Sequence, residues 1–121
     1  LVTPNDPELA ALGGCADLEE NVATLRARGC QAVLVTGGHG TGPDVINRLF
    51  DAQSCHDWAF PRLPGEFHGS GCTLAAAIAA GLAHGHSLTD AISQAQRFVA
   101  SSLRNARPPA HGYPKPDRTY R

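Results

Sequence analysis

Gly65-Glu66-Phe67-His68-Gly69-Ser70-Gly71-Cys72-Thr73-Leu74-Ala75-Ala76-Ala77-Ile78-Ala79-Ala80-Gly81 is the stretch on which the reading of this chain turns. Its first half alternates glycine with small polar residues, and its second half is a run of alanine, leucine and isoleucine, mostly good helix formers. The pattern predicts a glycine-rich loop feeding a buried helix. Gly69, Ser70 and Gly71 carry little or no side chain, so a ligand can come close to their backbone and the chain can take positive φ without strain. Their N–H groups, with the unpaired donors and positive dipole end of the following helix, suit an anion, phosphate above all. Cys72 falls in the first helical turn, where the same dipole favours a thiolate. A proton acceptor beside an anion cradle is what phosphoryl transfer needs, because most of its catalysis is positioning and charge stabilisation. The same residues also fit a plainer arrangement, a helix packed on a sheet with Cys72 as a small buried hydrophobe. Short glycine motifs do recur by chance.

The run from His68 to Leu74, followed by Ala75 to Ala80, resembles the signature of the hydroxymethylpyrimidine and phosphomethylpyrimidine kinases of thiamine biosynthesis. These belong to the ribokinase-like superfamily, most members of which end the G-x-G motif with a catalytic Asp. The pyrimidine kinases and some pyridoxine kinases place Cys there, so Cys72 is the discriminating residue. Thr3-Pro4-Asn5 with Glu8 resembles the family's T-P-N-x-x-E segment. In the superfamily that Asn and Glu lie near the phosphates and help to hold Mg²⁺, often through water, and both are suitable hard ligands. Read locally, Asn5 and Glu8 fit a helix cap and its capping box as well. Thr36-Gly37-Gly38-His39 matches the family's K-G-G-H except that Thr36 replaces the Lys. Other ribokinase-like enzymes use Thr there beside the nucleotide phosphates, so the resemblance implies that Thr36, Gly37, Gly38 and His39 meet ATP. The glycines alone read as a mobile surface loop. Phe67 stands where the family usually has Thr, which removes a hydroxyl.

The resemblance covers residues 1–106 and implies the carboxyl-terminal half of a ribokinase-like three-layer α/β/α sandwich with a mostly parallel sheet. It implies transfer of the γ-phosphoryl group of MgATP to hydroxymethylpyrimidine and then to its monophosphate. Cys72 would be the base and Gly69, Ser70 and Gly71 the oxyanion cradle, in a homodimer acting on a small pyrimidine. The family builds its pyrimidine pocket mainly from the amino-terminal half. Two other readings stay open: a pyridoxine or pyridoxal kinase of the Cys-containing kind, and a non-catalytic kinase remnant serving regulation or assembly. The departures at Thr36 and Phe67 favour the remnant mildly.

The rest of the sequence sets the frame. At 121 residues, 42% hydrophobic and net charge −1, this is ordinary composition for one small domain. No basic run interleaves with aromatics, which argues against nucleic acid, and the apolar helix is too short and interrupted by Gly81 to span a membrane. Cys15, Cys30, Cys55 and Cys72 show no C-x-x-C spacing and read as free thiols in a reducing cytoplasm. Cys55 and His56 with His84 and His86 fit no zinc spacing. The chain contains no methionine, so it is expected to be a piece of a longer polypeptide.

Along the chain, Leu1 to Thr3 reads as the end of a buried strand broken by Pro4. Asp17 caps a helix whose Leu18, Val22 and Leu25 share a face and which stops at Gly29. Ala32 to Thr36 is continuously apolar, as for a strand covered on both faces. Val45–Phe50 and Trp58–Phe60 flank a turn at 51–54 and predict a hairpin. Ser87 caps a last helix whose face is Leu88, Ala91, Ile92, Ala95, Phe98, Val99 and Leu103. Residues 107–121, with Pro108, Pro109, Pro114 and Pro116, predict an extended or disordered tail.

Overall fold

Side-chain caps set where three of the four helices of the described residues begin. The computed structural model describes residues 1–119, which divide after Arg62 into two units. In the first, helix α1 (Asp6–Gly13) starts at Asn5, whose Oδ1 accepts the Glu8 N–H at 2.8 Å while Glu8 Oε2 accepts the Asn5 N–H at 3.0 Å. This is a complete capping box. Helix α2 (Leu18–Ala27) starts at Asp17, which accepts the Glu20 N–H at 2.8 Å. Leu9 of α1 and Val22 and Leu25 of α2 pack with Val33 and Val35 of strand β1 (Val33–Val35) into one apolar cluster. All three β1 residues are buried, as the unbroken apolar run implied.

Strands β2 (Asp44–Phe50) and β3 (Cys55–Pro61) form the expected hairpin and complete a three-stranded sheet in the order β1-β2-β3. Its register pairs Leu34 with Leu49, Asn47 with Trp58 and Phe50 with Cys55. The mostly parallel sheet expected of the whole kinase domain is not what the strands of this chain form among themselves. Both strand pairings are antiparallel, and parallel geometry survives only as isolated bridges, Val2 to Val33 and Asn5 to Thr36. Connection length explains the difference. A parallel pair needs a crossover of about a dozen residues or more. The segment carrying α1 and α2 provides one between Val2 and Val33, whereas β1, β2 and β3 follow one another through loops too short for it. Leu1 to Thr3 therefore contributes a bridge and not a full strand.

The hairpin turn is built on Asp51, whose Oδ1 accepts the N–H groups of Gln53 and Ser54, each at 2.8 Å. These two bonds, Gln53 first, hold the Asp51 carboxyl below its ordinary value of 3.8. Because the folded value lies below the unfolded one, the turn is reinforced at higher pH and loses that support as pH falls through the folded value. Acidification below 3.8 is expected to speed amide hydrogen exchange at Gln53 and Ser54 relative to the β2–β3 ladder. In Asp51→Asn the excess acceleration should vanish.

The second unit joins helix α3 (Ser70–Ala83) to helix α4 (Leu88–Arg104), whose cap Ser87 accepts the Asp90 N–H at 3.2 Å. The two pack closely at Gly81, where a Cβ would lie 3.0 Å from that of Ala91. α4 buries Ala91, Ile92 and Ala95 as its sequence face predicted, and also Gln96 and Ser102. The central helix departs from expectation. α3 buries only Thr73, Leu74 and Ile78, while Cys72, Ala76, Ala79, Ala80 and Leu82 are exposed. A helix this rich in alanine is apolar all round, so its composition does not tell which stripe is covered. Beyond α4 the Pro-rich segment makes no helix and folds back. Arg107 bridges to Lys115, the Asp117 N–H donates to Ser102 O at 2.9 Å, and Pro116 is buried. No helix among the described residues is long and apolar enough to cross a membrane.

Candidate functional site

The glycine loop of the second unit turns into α3 at Gly69, which has φ +92°. A side chain there would be strained, so glycine is what allows the chain to enter the helix at this angle. No side chain caps α3, and Ser70, Gly71 and Cys72 make up its opening turn. Their amide donors therefore lack the cap oxygen that Asn5, Asp17 and Ser87 give the other three helices. Cys72 is a free, exposed thiol, so its reading as a small buried hydrophobe does not hold. Thr73 behind it is buried; its hydroxyl donates to Gly69 O at 2.7 Å and accepts from Arg118 Nε at 3.0 Å. The His68 N–H donates to Pro114 O at 3.0 Å. The loop is thus clasped by Pro114 and Arg118.

In the first unit, the Thr36 N–H donates to Pro4 O at 2.9 Å, which sets the Thr3–Glu8 segment beside the loop that begins at Thr36. A Cβ on Gly37 would run into the Ile46 carbonyl oxygen, and the Gly37 N–H donates to Asn47 Oδ1 at 3.0 Å. Gly38 and His39 are exposed. Arg62 holds the loop from the other side. Its Nε donates to Gly42 O and its Nη1 to Gly38 O, both at 2.8 Å, and its Nη2 to Asp44 O at 3.2 Å and Gly37 O at 3.4 Å. The glycine run is therefore a shaped loop and not a loose one. Nothing in the sequence singled out Arg62, because one arginine between prolines carries no sign of four main-chain acceptors.

Asn5 Oδ1 and one Glu8 oxygen are engaged in the capping box, which leaves the second oxygen of an exposed carboxylate. Among the described residues no three His, Cys, Asp or Glu side chains gather as metal ligands. That donor set fits Mg²⁺ held through water and substrate phosphates, its usual mode, and not an all-protein cage. Glu8 also rims a groove whose other walls are Val2, Thr3, Pro4, Ala11 and Leu12. The exposed Cys55 differs in chemistry from a nucleophile: desolvation first, then the Asp57 carboxylate, pushes its thiol above the ordinary 9.0 and keeps it protonated.

The model of the phosphomethylpyrimidine kinase family matches residues 1–116. A hydroxymethylpyrimidine/phosphomethylpyrimidine kinase of Mycobacterium bovis is 42% identical over 120 residues, covering 93% of this chain and 44% of that protein. The thiamine biosynthesis bifunctional protein ThiED of Geobacter sulfurreducens is 39% identical over 119 residues, covering 93% of this chain and 24% of that protein. Among solved structures, an ADP complex of Bacillus subtilis pyridoxal kinase is similar with a TM-score of 0.88 at 27% identity, over 98% of this chain and 48% of that one. The chain spans half or less of the length of each of these proteins.

Proposed function

We propose, because this chain belongs to the phosphomethylpyrimidine kinase family, that it carries the phosphate-handling part of an ATP-dependent kinase for hydroxymethylpyrimidine and its monophosphate. The observation that carries this reading is the exposed Cys72 thiol in the uncapped first turn of α3, directly after a glycine with φ +92°. In the reaction the Cys72 thiolate accepts the proton of the substrate hydroxyl, whose oxygen bonds to the γ-phosphorus as the bond to ADP breaks. The amides of Gly69 to Cys72 face the charge on the transferring group. Thr36, Gly37, Gly38 and His39 meet the nucleotide; nucleotide binding as such is supported by the likeness to a pyridoxal kinase solved as an ADP complex. Asn5 and Glu8 would hold Mg²⁺ through water; when bound, the ion neutralises phosphate charge.

On the same reading residues 1–106 belong to a three-layer α/β/α kinase domain whose whole sheet is mostly parallel, residues 107–119 are a Pro-rich tail docked on the second unit, and the enzyme is a homodimer. A pyridoxal kinase is the second reading; the structural likeness at 27% identity does not favour it over the pyrimidine kinase reading, whose relative stands at 42%. Steady-state assays of the native-length polypeptide with ATP and each acceptor separate the two. The pyrimidine is expected to have a kcat/KM higher by about tenfold or more, the scale at which pocket contacts discriminate. A preference for pyridoxal of that size would reverse the assignment.

A further inference from the structure

Arg118 lies in the segment that composition alone marks as a structureless tail, yet it reaches the head of α3. Its Nε donates to Thr73 Oγ1 at 3.0 Å, and Thr73 Oγ1 donates in turn to Gly69 O at 2.7 Å. A Cβ built on Gly69 would stand 3.0 Å from Arg118 Nη2 and 3.9 Å from Pro116 Cδ. The guanidinium thus lies against the bare α-carbon that opens the cradle, and a side chain at position 69 would push it away. Three further contacts hold the segment in place: the Asp117 N–H to Ser102 O, the His68 N–H to Pro114 O, and the burial of Pro116. Arg118 is exposed, and its one hydrogen bond among the described residues is through Nε. Its two terminal nitrogens keep their donors, in the planar fork that matches phosphate oxygens.

We infer that Arg118 is a phosphate-binding residue of this cradle, adding a fixed positive charge and a bidentate donor pair to the amides of Gly69 to Cys72. The inference rests on the proposed kinase reading, since it takes the cradle to hold the phosphoryl group in transfer. The Thr73 hydroxyl fixes the guanidinium by its Nε, so the fork is oriented before a ligand arrives, which lowers the ordering cost of binding. Charge carried on a solvent-facing side chain gives a salt-dependent contribution.

The test is titration of the isotopically labelled chain with inorganic phosphate at low salt, following the amide resonances of Gly69, Ser70, Gly71 and Cys72. These amides are expected to shift saturably. Arg118→Gln keeps a donor for Thr73 and loses the charge, so it should leave the ligand-free spectrum of the loop unchanged and weaken phosphate binding about tenfold. Arg118→Lys should fall between the two, and Arg104→Gln should have no effect. If phosphate binds the cradle as tightly in Arg118→Gln as in the parent, the role of Arg118 is overturned while the cradle stands. If phosphate shifts none of the four amides in the parent chain, the cradle itself is refuted, and Arg118 with it.

Discussion

Replacing Cys72 with alanine is expected to lower the rate of phosphoryl transfer by the native-length polypeptide about 10²–10⁴-fold, the range supplied by a positioned general base. The fall should appear in kcat and kcat/KM together, with the KM for ATP nearly unchanged, because the lost interaction is made only as the hydroxyl gives up its proton. The proposed roles imply this separation. On that reading Cys72 offers its side chain as base, whereas the proposed cradle consists of main-chain N–H groups that alanine also possesses. Stability should hardly move, since the thiol is exposed and alanine suits the first turn of a helix. Cys72→Asp, which installs the residue most ribokinase-like enzymes carry there, should recover part of the rate. An unchanged rate in Cys72→Ala would favour the reading of the chain as a non-catalytic remnant.

The largest effect on stability is expected from Leu9→Ala. Leu9 is the one buried residue of α1, and it joins Val22, Leu25, Val33 and Val35 in the apolar cluster of the first unit. Truncating a buried leucine costs about 2–5 kcal/mol, depending on how far the site collapses. Much of the cost should be read as loosening of α1, because its capping box fixes where the helix begins but adds little to what holds it down. Urea unfolding is expected to show a lower midpoint with the same slope. Leu12→Ala, on the same helix but 49% exposed, should stay within about 0.5 kcal/mol of the parent. A Leu9→Ala variant as stable as that control would mean that α1 is not anchored by this side chain.

Local chemistry was the legible part of the sequence. Asn5, Asp17 and Ser87 announced their helices because a cap is a short-range pattern of an oxygen and an N–H three residues on. The three residues of β1 were legible as an unbroken apolar run, and the hairpin by the turn residues between its strands. Strand direction was not, since an apolar run looks the same in a parallel or antiparallel pair; connection length decided it for β1 to β3. The covered stripe of α3 was hidden by its alanines. At the candidate site the glycine loops and Cys72 stood out by residue type, while Arg62 and Arg118 did not. Each acts through contacts between residues far apart in sequence, Arg62 with carbonyls 18–25 residues away and Arg118 with a hydroxyl 45 residues away. Prolines at 108, 109, 114 and 116 likewise exclude a helix but do not say whether the extended chain has something to dock against.

If this chain carries the phosphoryl-transfer site of a pyrimidine kinase, the native-length polypeptide incubated with ATP and 4-amino-5-hydroxymethyl-2-methylpyrimidine, with the products identified by mass, should form ADP in a reaction that depends on the pyrimidine. The monophosphate is expected to appear first and the diphosphate after it. ATP left intact, or consumed at the same rate without the pyrimidine and with no phosphorylated pyrimidine formed, would contradict it.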